Sequence, residues 1–148
     1  MIGIQFEILN KRDIVLDKIL KKLNSTNCIW KILEDEVLNE GSSEFFQQET
    51  YLDVEFRTLI KSKVHYPIFL NLQLYKNNSN TIEINNYSDF LKSDCLLILF
   101  ITDNEFVEIY AKNKEFIKLI EKNAIDNNFS NIKIIKNATD VKRLFSAY

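Results

Sequence analysis

At 148 residues, 46% of them apolar and 27% charged, the chain has the size and composition of one globular domain, residues 1–148, that needs no metal or disulfide to hold a core. A net charge of −2 and a pI near 5.5 argue against nucleic-acid binding, which leaves a basic footprint. Two glycines leave no room for a glycine-rich phosphate loop, no run reaches the roughly 18 apolar residues of a membrane span, and the first residues lack the basic start and apolar stretch of a secretory signal.

Residues 3–9 alternate, with Ile4, Phe6 and Ile8 against Gln5 and Glu7, and predict a first strand. Asn10 is placed to cap a helix over residues 11–23, whose apolar stripe is Leu16, Ile19, Leu20 and Leu23 with Lys18, Lys21 and Lys22 outside. The polar run at 24–27 stops it. Residues 28–33 read as a second strand. Glu34, Asp35 and Glu36 turn or leave the sheet, Val37 and Leu38 pair back, and residues 40–43 form a loop. Thr50 and Asp53 have capping-box spacing ahead of a stripe of Leu52, Phe56, Leu59 and Ile60, a helix to about Lys61.

Residues 67–75 alternate as a third strand, with Pro67 at its start where a missing donor is tolerated. A turn at 77–80 leads to a short returning strand at 81–84, then one or two helical turns at 87–92 with Ser88 as a cap. Residues 95–101 are an unbroken apolar run, the pattern of a strand buried on both faces. Asp103 and Asn104 tolerate the left-handed backbone of a tight hairpin, and residues 106–112 alternate again. This hairpin is the expected centre of the sheet. Asn113 caps a last long helix with Phe116, Ile117, Leu119, Ile120 and Ala124 inward, Asn127 and Asn128 end it, and Ile132, Ile134 and Ile135 form a final strand. Residues 140–145 read as a short helix or tail. Residues 6–33 and 106–135 share the grammar strand, Asn-capped helix, Asn-rich stop, strand. The fold class is therefore α/β (α+β), with a mixed β-sheet, a central β-hairpin and two βαβ-like units packed by helices.

Two segments resemble a small bacterial family. One is the opening Gly3-Ile4-Gln5-Phe6-Glu7-Ile8-Leu9-Asn10. The other, stronger, comprises Tyr87, Phe90, Leu91, Ser93, Asp94, Cys95, Asp103, Ile109, Tyr110, Lys112, Phe129 and Asn131, continuing loosely to Asp140, Arg143 and Tyr148. The chain is similar to a "domain of unknown function" family of low-GC Gram-positive bacteria. The abundance of Ile, Asn and Lys, whose codons are AT-rich, agrees with that source. Residues 34–63 match least, Leu9 stands where the family carries Pro, and Tyr148 stands where it carries Trp. The resemblance implies a bacterial intracellular protein and brings no catalytic residues.

The residues themselves offer little chemistry. His65 is the single histidine, read as a loop or strand-edge residue, and Cys28 and Cys95 are separated, so neither a zinc site nor a Cys–His nucleophile is indicated. Both thiols are expected to stay reduced in a cytoplasmic compartment as small buried hydrophobes. Asp94 and Asp103 sit at opposite ends of the central strand, too far apart for an acid–base pair. No cofactor is expected. The one asymmetry is charge: residues 34–55 hold eight acids and no Lys or Arg, so with the whole chain at −2 the remainder carries +6.

That segment is either a solvated face or a binding surface for a basic protein partner, with Glu34, Asp35, Glu36 and Glu40 as its charge. Phe45 and Phe46 are open to two roles, docked in the core or exposed as partner anchors. A non-enzymatic cytosolic protein-binding module of immunity or regulatory type is the expected function. The alternative is a small-molecule-binding or enzymatic domain with a pocket at the sheet edge gathering Tyr110, Asp103 or Cys95.

Overall fold

The computed structural model describes residues 1–141 and 143–146. Its strands are β1 (Gly3–Glu7), β2 (Cys28–Asn39), β3 (Thr50–Leu52), β4 (His65–Lys76), β5 (Cys95–Thr102), β6 (Phe106–Ala111) and β7 (Ser130–Ile135). They form one sheet in the order β3-β2-β4-β5-β6-β1-β7. Helices α1 (Val15–Leu20), α2 (Asp53–Ser62), α3 (Tyr87–Lys92) and α4 (Lys114–Asp126) complete the α/β architecture, with one 3-10 turn at Ala138–Asp140.

The apolar run becomes the middle of the sheet because both its faces are covered. Leu97 and Leu99 join the larger core with Ile4, Leu72, Ile109 and the buried faces of α1, α2 and α4. Ile98 and Phe100 point the other way, into a second core with Tyr75, Phe90, Tyr110 and Phe145. Asp103 and Asn104 both take positive φ, 53° and 51°, so the β5–β6 turn is built as the dipeptide suggested.

Every strand pair is antiparallel. The two βαβ-like units survive as connections between strands that run the same way without touching. β1 and β2 are separated by β6, β5 and β4, and β6 and β7 are separated by β1. β1 thus closes the sheet between two late strands. Gly3 belongs where β1 meets β6: a Cβ there would stand 2.6 Å from the Ile109 carbonyl oxygen and 2.9 Å from the Tyr110 ring.

Several boundaries differ from the periodicity. α1 spans only Val15–Leu20, because the segment ahead of it bridges to β4 at Asp13 and His65 instead of being capped by Asn10. Leu20 and Leu23 turn their carbonyls to Arg57, whose Nη1 and Nη2 donate to them at 2.7 Å each. α2 starts at Asp53, with the Leu52 amide donating to the Glu55 side chain. Asn86, not Ser88, caps α3 by accepting from the Asp89 amide. Residues 81–84 form no strand. Asn113 caps α4 as expected, accepting from the Glu115 amide at 2.9 Å.

Candidate functional site

The acids at 34–36 do not end a strand. β2 runs through them to Asn39, with Glu34, Asp35 and Glu36 opposite Asn71, Leu70 and Phe69 of β4. Two register shifts, between Ile32 and Glu34 and between Glu36 and Val37, bracket the triplet. Bulges of this kind turn side chains out of their alternation. On its other side β2 is only partly covered. β3 pairs with Ile29, Trp30 and Lys31, and the chain meets β2 again where the Ile32 amide donates to Glu49 and the Phe45 amide to Val37, each at 2.8 Å. Between those clasps Leu33, Glu34, Asp35 and Glu36 are all exposed. The turn beyond is tied by Asn39, whose Oδ1 accepts from the Gly41 and Ser43 amides. It carries Glu40 and Glu44 on the surface.

Phe45 and Phe46 do not join this surface as exposed anchors. Each is only 5% exposed. Their rings meet edge to face at 5.0 Å, Phe45 lies 4.7 Å from the His65 ring, and Phe46 stacks on Phe56 at 6.0 Å. The loop can turn them inward because the Tyr51 hydroxyl accepts from the Gln47 and Gln48 amides, giving backbone that leaves the ladder a partner. Of the two roles open to them, they fill the core.

What remains outside is mostly charge, with Leu33 exposed beside it. Among the described residues no ion pair involves Glu34, Asp35, Glu36, Glu40 or Glu44. Asp35 is exposed by area, yet enough chain crowds its carboxyl to push its pKa up, and Glu44 and Glu34 add to the shift. A cleft of about 700 Å³ between this loop and the end of α2 is lined by Glu40, Glu44 and Lys63 among others.

The remaining candidates are dispersed. Cys28 and Cys95 are buried, and burial pushes both thiols up, Cys95 to about 12. His65 is the first residue of β4 but has no exposed surface, which corrects the loop or edge placement. Asp94 and Asp103 flank opposite ends of β5. Tyr110 and Cys95 are buried in the second core, and Asp103 lies in the turn beyond the far end of β5 from Cys95.

A second cleft, of about 630 Å³, lies at the other end of the sheet. Cys28, Lys76, Lys112 and Phe116 help to line it. Two polar groupings escaped the sequence. Asp53 accepts from Trp30 Nε1 at 2.8 Å and Ser25 Oγ at 2.6 Å and faces Arg57 at 3.4 Å. Asn71 and Gln73 lie buried on the second face of β4, where Asn71 Nδ2 donates to the Phe145 carbonyl and Gln73 Oε1 accepts from the Tyr75 hydroxyl. Asn71 and Gln73 alternate with apolar positions in β4, the pattern of a strand with one wet face, so the alternation points away from the second covered face that the structure has.

Comparison with known proteins gives a family and no activity. Over residues 1–146 the chain matches the family described as "Protein of unknown function (DUF2691)", and it belongs to that family. It is 31% identical over 147 residues to "Uncharacterized protein YncE" of Bacillus subtilis (strain 168), with 95% of each chain covered. That relative comes from a low-GC Gram-positive bacterium, as the resemblance implied. No solved structure matches the chain at a significant level. No helix among the described residues is long and apolar enough to cross a membrane.

Proposed function

We propose that the chain is a non-enzymatic, cytoplasmic protein-binding module, acting as one domain, that receives a basic partner on the acidic hairpin of β2. The observation that carries this reading is the crowding of unpaired carboxylates. Among the described residues Glu34, Asp35, Glu36, Glu40 and Glu44 share an exposed surface without a basic neighbour in ion-pair contact, and Asp35 has its pKa raised first by partial burial of its carboxyl and then by Glu44 and Glu34. Such a field repels itself and steers a cation-rich surface toward it. With Phe45 and Phe46 in the core, the surface supplies orientation and association rate more than apolar anchoring.

The alternative, a small-molecule or enzymatic pocket built on Tyr110, Asp103 and Cys95, draws no support from their positions. The clefts of about 630 and 700 Å³ are lined by other residues.

The test is a pull-down with the wild type and with a variant in which Glu34, Asp35, Glu36 and Glu40 become Gln or Asn. The expected result is a partner held by the wild type, released as salt rises, and lost from the variant. If the variant keeps every partner with unchanged salt dependence, the hairpin is a solvated face and the reading falls.

A further inference from the structure

Phe145 sits on the sheet face opposite α1, α2 and α4, in the second core. Its ring is surrounded by Tyr110 at 4.8 Å, Phe100 at 5.2 Å, and Tyr87 and Phe90 at 6.3 Å each. Its amide donates to the Asn85 carbonyl at 2.9 Å, and its carbonyl accepts from Asn71 Nδ2 at 3.2 Å. Two residues earlier Arg143 lies over the Phe100 ring at 3.8 Å and reaches Glu108 at 3.7 Å. An aromatic cage, a donor and an acceptor for one peptide unit, and a carboxylate for a cation therefore read a short motif, Arg-x-aromatic, which the chain supplies to itself.

The fit is incomplete at the floor. Among the described residues Asn71 Oδ1, and Gln73 Nε2 two positions along the same strand, are buried without a hydrogen-bond partner. Such atoms carry a desolvation penalty that a better-matched ligand would relieve. The floor is also continuous with the acidic hairpin. Asn71 is the ladder partner of Glu34 and Phe69 that of Glu36, so these two acids share the cage's face of the sheet.

We propose that this face is a peptide-binding site for a partner segment with Arg or Lys two residues before an aromatic residue, and that residues 143–145 occupy it as an internal competitor. The incoming aromatic ring takes the Phe145 cage, its cation takes Glu108, and Glu34 and Glu36 draw the basic segment in. The steering part rests on the binding role proposed for the acidic hairpin. The cage does not.

The probe is a fluorescent capped tetrapeptide, Arg-Leu-Phe-Ser, with Arg-Leu-Ala-Ser as control, titrated against the full chain and its Phe145→Ala variant. The expected result is binding to the variant at least ten-fold tighter than to the wild type, lost with the control peptide. Equal or absent binding of the two peptides to a folded variant overturns the proposal. Adding Glu34→Gln and Glu36→Gln to the variant separates the two ideas. Unchanged peptide affinity removes the steering and leaves the cage standing.

Hydrogen exchange of the wild-type full chain gives an answer even where Phe145→Ala fails to fold. The Phe145 amide is expected to exchange at least a hundred-fold faster than that of Leu99. Exchange of both at the rate of global unfolding overturns the proposal, because the segment is then a fixed part of the core.

Discussion

The Leu16 amide donates to Nε2 of His65 across 3.0 Å, so the imidazole is held as a hydrogen-bond acceptor inside the core. Its Nδ1 lies 2.8 Å from the Lys63 carbonyl and must carry the proton there. The ring thus joins the start of α1 to the start of β4 in its neutral form. Burial pushes its pKa below the ordinary value of 6.5. Unfolded chains take up this proton near pH 6.5 while the folded protein resists it. The contribution is therefore complete above about pH 6.5 and is lost as pH falls from there toward the folded pKa. Urea midpoints between about pH 7.5 and 5.5 are expected to fall more steeply for the wild type than for His65→Gln. Parallel profiles would show that His65 does not drive the pH dependence.

Leu99→Ala is expected to cost about 2–5 kcal/mol of unfolding free energy through the cavity it leaves. Leu99 has no exposed surface and lies opposite Leu72 on one side and Ile109 on the other, so no solvent-facing neighbour can collapse into the space. Denaturant melts read this directly. A loss under about 1 kcal/mol would place β5 at the periphery of the stabilising core.

Neither thiol is expected to react in the folded protein. Burial raises both, so the nucleophilic thiolate is scarce at neutral pH, most of all at Cys95 with its pKa pushed up to about 12. Cys28→Ser and Cys95→Ser are expected to change stability and leave partner binding unaltered. Thiol titration with a chromogenic disulfide is expected to proceed only as denaturant is added, and rapid labelling of the native chain would contradict the buried-hydrophobe reading.

Asp53→Ala is expected to destabilise by about 2–3 kcal/mol, since it removes the charged acceptor of three hydrogen bonds and leaves the Trp30 indole N–H without its partner. Arg57→Lys keeps the positive charge but cannot reach the Leu20 and Leu23 carbonyls and Ser25 Oγ with one fork. It too is expected to lower the urea midpoint. A lysine variant as stable as the wild type would reduce Arg57 to a charge.

Local chemistry made the β5–β6 hairpin and the Asn113 cap legible, because the residues that specify them are neighbours in sequence. The sequence predicts that residues 34–36 turn or leave the sheet, because three consecutive acids show no alternation. They stay in β2 because both faces of the strand reach water there and bulges absorb the register. The burial of Phe45 and Phe46 was undecidable from a polar loop, since it depends on Tyr51, Phe56 and His65, which only the folded sheet brings near. The role of Phe145 escaped for the same reason. Its cage comes from α3, β5 and β6, and nothing around residue 145 repeats with a period.

Because β1 lies between β6 and β7, its backbone hydrogen-bonding groups have no partners while the chain is being made. Gly3 pairs with Tyr110 and Ile135, both more than a hundred residues later in the sequence. On the ribosome the first strand, with its apolar Ile4, Phe6 and Ile8, must wait until β6 and β7 have emerged. Its docking is therefore a late step, slowed by the loop closure that such distant pairings demand. A stalled or truncated nascent chain would present that strand to chaperones and proteases.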